Sequence, residues 1–372
     1  MSLIKVISGV CIIPAGTTEI FIDAFDGCSK ITSIKIPACV KKIESAAFDG
    51  LDLESIDVDV NNLDFYSEDN CLINKKGTEL IRGCKNSRIP SGIKTIEPHA
   101  FFGCKSLKSI TIPDTVTYIG YSSFEGCTSL EEIIIPSSVI YIDSSAFRGC
   151  HALKRVVFNT TSIKHIDTRL FEDCLSLEEI TVPEGVERIE NYAFFGCKSL
   201  KSITIPDTVT YIGYSSFEGC TSLEEIVIPS SVIYIDSSAF RGCHALKKVV
   251  FNTTSIKEIY TGLFKDCRSL EEIIVPEGVK SIGDDAFSGC TRLTSIDIPK
   301  SVESVGKNAF HGCVNLQNIK ISKSTKFDID SSFRGCPDAK AKGLYSGLVE
   351  SLKKVMDRME PEISRVRSSL KK

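Results

Sequence analysis

The sequence predicts a parallel β-solenoid, because three features recur at a fixed period along the chain. Cysteine marks this period: from Cys104 to Cys336, successive cysteines are 23 or 24 residues apart. An Ile-x-Ile-Pro segment and a Phe-x-Gly-Cys segment recur in the same register. A period of roughly 20 to 29 residues indicates one supersecondary unit per turn, stacked so that neighbouring turns share a core.

Each part of one repeat has a physical reason. Ile110 and Ile112 alternate with polar residues, which predicts a short strand with one buried face. Pro113 has no N–H to donate to a ladder, so it ends the strand. Val116 and Ile119 then turn the chain around the core, and Gly-Cys closes a tight corner. Consecutive strands must be parallel, because every turn runs in the same direction.

The register divides the chain into a solenoid, residues 1–342, and a tail, residues 343–372. An irregular insertion interrupts the solenoid at about residues 59–90, where two short apolar runs around a Lys-Gly turn predict a hairpin. The tail carries Leu, Val and Met at helical spacing. We expect a helix that caps the open end of the solenoid, with a partner-binding or coiled-coil helix as the alternative.

Composition bounds the function. With 42% hydrophobic residues, 25% charged residues and a net charge of −4, the chain gives no reason to expect a nucleic-acid partner. It has no apolar run long enough to predict a transmembrane segment. The 16 cysteines occur singly, without C-x-x-C. Their side chains should point the same way in every turn, so we expect buried free thiols, with no disulfide, metal site or cofactor.

The pattern C-x-x-L-x-x-I-x-I-P-x-x-V-x-x-I-x-x-x-A-F-x-G-C resembles the BspA-like, Treponema-type leucine-rich repeats over roughly residues 10–340. The resemblance implies a leucine-rich repeat solenoid, a curved right-handed parallel-β horseshoe of about 14 turns with short strands, to which the tail adds a C-terminal helix. It also implies a secreted or cell-surface binding protein, sometimes an adhesin for host proteins. The reduced-looking cysteines and the lack of a signal-peptide pattern are equally compatible with the cytoplasm.

A second, longer period argues against catalysis. Residues 101–185 and 194–278 align at a shift of 93 and differ at eight of 85 positions. A catalytic site is a single constellation of residues, whereas a duplicated block of four turns lengthens a surface. The sequence therefore favours binding over an enzymatic activity.

The candidate partner-binding residues lie on the strand segments, between and beside the inward positions. One column should point outward, onto the concave face: Thr111, Ile134, Val157, Thr181, Thr204, Val227, Val250 and Ile274. A neighbouring row carries charges whose sign alternates from turn to turn, and its candidates are Glu132, Arg155, Glu179, Glu225, Lys248 and Glu272. An exposed apolar stripe is typical of a contact surface, although β-propensity alone also explains branched residues in strands.

Two functions follow from these observations. The first is a non-enzymatic, adhesin-like module that presents the concave β-face to a protein or cell-surface partner. The alternative is an intracellular scaffold that binds partners through its C-terminal helix. The sequence specifies neither the partner nor the oligomeric state.

Overall fold

The solenoid turns are directly visible in the computed structural model, which describes residues 5–28, 30–322, 324–327 and 329–336. The chain winds through about 13 turns rather than the predicted 14 or so. The difference arises because the interruption folds into the wall of the solenoid instead of completing a turn. Among the described residues, the only helix is α1 (Ile329–Ser332).

The first 14 strands, in chain order, are β1 (Lys5–Ile7), β2 (Val10–Ile12), β3 (Glu19–Ile20), β4 (Ser33–Ile36), β5 (Lys42–Ile43), β6 (Ser55–Val58), β7 (Phe65–Glu68), β8 (Cys71–Asn74), β9 (Glu79–Arg82), β10 (Thr95–Ile96), β11 (Tyr118–Ile119), β12 (Glu132–Ile135), β13 (Tyr141–Ile142) and β14 (Arg155–Phe158). The remaining strands are β15 (His165–Ile166), β16 (Glu179–Thr181), β17 (Arg188–Ile189), β18 (Ser202–Thr204), β19 (Tyr211–Ile212), β20 (Glu225–Ile228), β21 (Tyr234–Ile235), β22 (Lys248–Phe251), β23 (Glu258–Ile259), β24 (Glu272–Ile274), β25 (Ser281–Ile282), β26 (Ser295–Asp297), β27 (Ser304–Val305) and β28 (Asn318–Lys320).

These strands form two walls. The long-strand sheet has segments β1-β2-β4-β6, β12-β14, β16-β18, β20-β22 and β24-β26-β28. The short-strand sheet, in which most strands have two residues, has segments β3-β5, β7 to β11 with β13, β15-β17-β19-β21 and β23-β25-β27. Pairing between turns is parallel, as predicted, and places Ile133 beside Val156. Only the pairs β1/β2, β7/β8 and β8/β9 are antiparallel in the described chain.

The strand predicted around Ile110 and Ile112 does not form, and that segment is extended without a ladder. Its N-terminal neighbour is the interruption, which offers no long strand for it to pair with. The long-strand sheet also opens between β14 and β16, where the chain inserts the extra residue of a 24-residue period. The same opening recurs 93 residues later, between β22 and β24.

A column of stacked phenylalanines fills the core. From Phe101 to Phe333, the rings of successive turns lie 4.9–5.7 Å apart between centroids and are nearly parallel. Leu, Ile and Val from both sheets pack around them. Because equivalent side chains meet in register, each turn completes the burial that its neighbour begins.

The interruption forms an antiparallel meander of β7, β8 and β9, and β9 pairs in parallel with β10 of the short-strand sheet. It divides the hydrophobic core into two clusters, with the smaller one in the N-terminal turns. Arg82 lies buried at the junction and donates hydrogen bonds to the carbonyl oxygens of Leu51, His99 and Phe102. A guanidinium thus connects two turns where no phenylalanine stack crosses.

The predicted tail helix, residues 343–372, lies outside the described residues. Nowhere in the described ranges does a helix reach the length and apolarity that crossing a membrane requires.

Candidate functional site

The outward column lies on the long-strand sheet, between buried neighbours. In β12, Ile133 and Ile135 point inward and Ile134 points outward, so Ile134 lies beside Val157 of β14. The same register places Thr181 beside Thr204. In the second copy, Val227 lies beside Val250. Thr111 is exposed as well, but it belongs to the extended segment that forms no ladder.

Exposure varies along the column. Ile134, Val227 and Ile274 are 48%, 42% and 77% exposed, so their branched side chains face solvent. Thr181 and Thr204 are also exposed, whereas Val157 and Val250 are half-buried. Toward the C-terminus the column becomes polar, because Ile274 lies beside Asp297. The apolar part therefore begins and ends within the described solenoid.

The charged row beside this column consists largely of ion pairs between successive turns. Arg155 Nη1 lies 2.8 Å from Glu132 Oε1, and Lys248 Nζ lies 3.0 Å from Glu225 Oε1. A second row, one residue earlier in each strand, pairs Lys154, Lys201 and Lys247 with Glu131, Glu178 and Glu224 at 2.7–3.0 Å. These exposed pairs contribute little stability each, but they keep like charges apart and so specify the order of turns.

Glu179 and Glu272 differ from the other candidates, because neither forms an ion pair with a described residue. Their lateral neighbours in the ladder are Ser202 and Ser295. On the other side the sheet is open, and Arg155 pairs within its own ladder segment instead of crossing to Glu179. An open cleft of about 410 Å³ lies at this opening, lined by Lys154, Arg155, Glu178, Glu179, Lys201 and Ser202.

The cysteines do not supply chemistry to this surface. All 16 are free, and 14 of them are buried. Each cysteine from Cys127 to Cys336 donates its thiol to the carbonyl oxygen of a phenylalanine in the preceding turn, at 3.0–3.3 Å. Burial raises the pKa of Cys150 to about 12, which keeps the thiol protonated and unreactive. In the described ranges, no cluster of three or more His, Cys, Asp or Glu side chains could hold a metal ion.

The short-strand sheet carries a second surface, which the sequence reasoning missed. Tyr118 stacks on Tyr141 with ring centroids 5.8 Å apart, and Tyr211 stacks on Tyr234 at 5.4 Å. The hydroxyl of Tyr118 donates a hydrogen bond to Asp143 Oδ2 at 2.9 Å. A signal was present in the sequence, because tyrosine recurs 23 residues apart directly before an inward isoleucine.

Family membership follows from the sequence of the repeats. The family described as "BspA type Leucine rich repeat region (6 copies)" matches residues 9–74, 76–198, 164–267 and 257–354. The chain belongs to this family. The resemblance seen in the sequence is thereby confirmed, and the two-walled stack of turns is the BspA-type leucine-rich repeat solenoid.

Solved structures similar to this BspA-type protein come from gut bacteria. A leucine-rich repeat protein from Bacteroides ovatus is 30% identical, with 85% of this chain and 82% of that chain covered and a TM-score of 0.60. A leucine-rich cell surface protein from Faecalibacterium prausnitzii is 28% identical, with coverages of 86% and 89% and a TM-score of 0.53. Among curated proteins, none matches this BspA-type chain.

Proposed function

We propose that this chain is a non-enzymatic, adhesin-like binding module that presents the outward face of its long-strand sheet to a protein or cell-surface partner. The supporting observation is the outward column itself, in which Ile134, Val227 and Ile274 expose large apolar surface on a regular sheet. A cell-surface role is further supported by the similar Faecalibacterium protein, which is described as a cell surface protein.

The charges around the column favour a partner with an apolar centre. Arg155 and Lys248 already pair with Glu132 and Glu225 of neighbouring turns. A partner therefore gains little by matching these charges one by one, and covering the column gives the larger gain. Burying one Val or Ile side chain completely contributes about 1.5–3 kcal/mol relative to exposure.

Two observations support binding rather than catalysis. The duplicated block repeats the surface twice, as an extended contact tolerates and a single catalytic constellation does not. In addition, burial raises the pKa of the core thiols, so that Cys104 titrates only at about 11. The buried cysteines are therefore poor nucleophiles near neutral pH.

The test is a pull-down from host-cell and bacterial extracts, with bound proteins identified by mass spectrometry. The variant Val157→Asp/Val227→Asp/Val250→Asp should lose the partners that the wild type retains. The matched control Ile233→Asp/Val314→Asp alters two exposed apolar residues away from this face, 59% and 48% exposed, and should retain those partners. Circular dichroism must show that both variants are folded.

Two results would contradict the proposal. Partner retention by the folded triple variant would show that the outward column is not the contact surface. Loss of partners on truncation after residue 342, with the solenoid still folded, would instead favour binding through the tail.

A further inference from the structure

The short-strand sheet holds an arginine on a tyrosine at one position, and the equivalent position 93 residues earlier lacks the arginine. Arg188, Glu190 and Tyr211 correspond at this shift to Thr95, Glu97 and Tyr118. The strand registers are also equivalent, because Arg188 lies beside Tyr211 and Thr95 lies beside Tyr118. The two positions can therefore be compared atom by atom.

In the second copy the chain binds its own guanidinium. The guanidinium carbon of Arg188 lies 3.8 Å from the centroid of the Tyr211 ring. Its Nε donates a hydrogen bond to Glu190 Oε1 at 2.6 Å, and its Nη2 lies 3.5 Å from Glu190 Oε2. A ring face and a carboxylate together form a receptor for a planar cation, because each attracts positive charge and the carboxylate also fixes the orientation.

In the first copy the same receptor groups are present without the cation. Thr95 is too short to extend over the Tyr118 ring as Arg188 extends over Tyr211. The other face of Tyr118 is stacked on Tyr141, with the two rings inclined by only 12°. The Tyr118 hydroxyl is held by Asp143, so the orientation of the ring is fixed. Thus the ring face toward Thr95 is presented without a cation over it.

The local charge strengthens this comparison. Glu97 forms no ion pair with any described residue, whereas its counterpart Glu190 pairs with Arg188. Glu79 lies beside Thr95 in the ladder, at the place that His165 occupies beside Arg188. Burial, together with the charge of Glu79, raises the pKa of Glu97. A bound cation would relieve this repulsion between two carboxylates.

We propose that Tyr118, Glu97 and Glu79 form a docking site for the guanidinium of an arginine side chain on a partner protein. The occupant is inferred from the chain itself, which places a guanidinium on the equivalent groups in the next copy. This site is on the short-strand sheet, so it does not depend on the function proposed for the long-strand face.

The test uses the full chain labelled with fluorotyrosine and ¹⁹F NMR, with the Tyr118 resonance assigned from Tyr118→Phe. The probes are the tripeptide Gly-Arg-Gly, its neutral citrulline analogue and Gly-Lys-Gly. We expect Gly-Arg-Gly to shift the Tyr118 resonance saturably at one site. The citrulline peptide should bind at least tenfold more weakly, because it keeps the shape of the side chain and lacks the charge.

Two substitutions make the test specific. Thr95→Arg supplies the chain's own guanidinium and should abolish the shift, while Thr95→Val, the matched control, should bind as the wild type does. Arg188→Thr should create a second, weaker site, visible at Tyr211, because His165 replaces Glu79 there. Circular dichroism checks that each variant is folded.

The proposal would be overturned by any of three results. Equal binding of the citrulline peptide would mean that charge is not recognised. Unchanged binding by folded Thr95→Arg would place the site elsewhere. Equally tight binding of Gly-Lys-Gly would indicate a general ammonium site and remove the assignment to arginine.

Discussion

Replacing Arg82 with methionine should uncouple the N-terminal turns from the rest of the solenoid. Arg82 is 1% exposed and donates hydrogen bonds to Leu51 O at 2.8 Å, His99 O at 3.0 Å and Phe102 O at 3.1 Å. Leu51 belongs to the smaller N-terminal core cluster, while the other two carbonyls lie beyond the interruption. The guanidinium is therefore a polar connection between two separately packed cores.

The magnitude follows from the three carbonyl groups. A buried acceptor that loses its donor costs about 1–3 kcal/mol, so three would cost about 3–9 kcal/mol. Arg82 has no ion-pair partner among the described residues, and its removal recovers several kcal/mol of desolvation penalty. Methionine also fills most of the vacated volume. We therefore expect Arg82→Met to lower the free energy of unfolding by about 3 kcal/mol.

Urea unfolding followed by circular dichroism and by hydrogen exchange measures both the loss and its location. The loss should be concentrated in residues 11–58, which should exchange their amide hydrogens before the remaining turns. Arg88→Met is the matched control, because Arg88 is exposed in the same segment and should change stability by less than about 0.5 kcal/mol. If Arg82→Met costs no more than the control, or destabilises all turns equally, the bridging role of the guanidinium is refuted.

Three further predictions concern the turns themselves. At pH 8, iodoacetamide should modify only the half-buried Cys28 and Cys39 of the native chain, with the other 14 thiols reacting after denaturation, as peptide mapping would show. Glu131→Lys should lower Tm by about 2 °C because it ends the 3.0 Å pair with Lys154 and places like charges side by side, and adding Lys154→Glu should restore part of the loss in a thermal scan. Gly120→Ala should destabilise the chain by about 2 kcal/mol in urea, since a Cβ there would lie 2.6–2.8 Å from backbone atoms of the preceding turn.

Much of the fold was predictable because the period of the sequence fixes the register of the turns. Once cysteines recur every 23 residues, equivalent side chains must meet, and the parallel pairing of Ile133 with Val156 follows. The missing strand at Ile110 was not predictable from its own residues, which match the repeat. It depends on the neighbouring turn, where the interruption provides no ladder.

The two surfaces were predictable to different degrees. Alternation within a strand is enough to identify Ile134 as outward, although nothing in the structure tests whether it binds a partner. The arginine receptor requires a comparison across turns, because Arg188 and Tyr211 are 23 residues apart and meet only when the turns are stacked. The opening between β14 and β16 was beyond the sequence, since an extra residue in the period does not reveal which ladder it disrupts.

The two copies of the duplicated block separate the proposals by stoichiometry. On the long-strand sheet the substitutions between copies keep their chemistry, with Ile134 replaced by Val227 and Arg155 by Lys248. The copies are four turns apart, or about 19 Å at the spacing of adjacent strands, so one elongated partner can contact both and gain avidity. The arginine receptor is free in only one copy, since Arg188 fills the other. A partner of the long-strand face should therefore lose affinity stepwise as each copy is altered, whereas arginine docking should vanish with a single substitution.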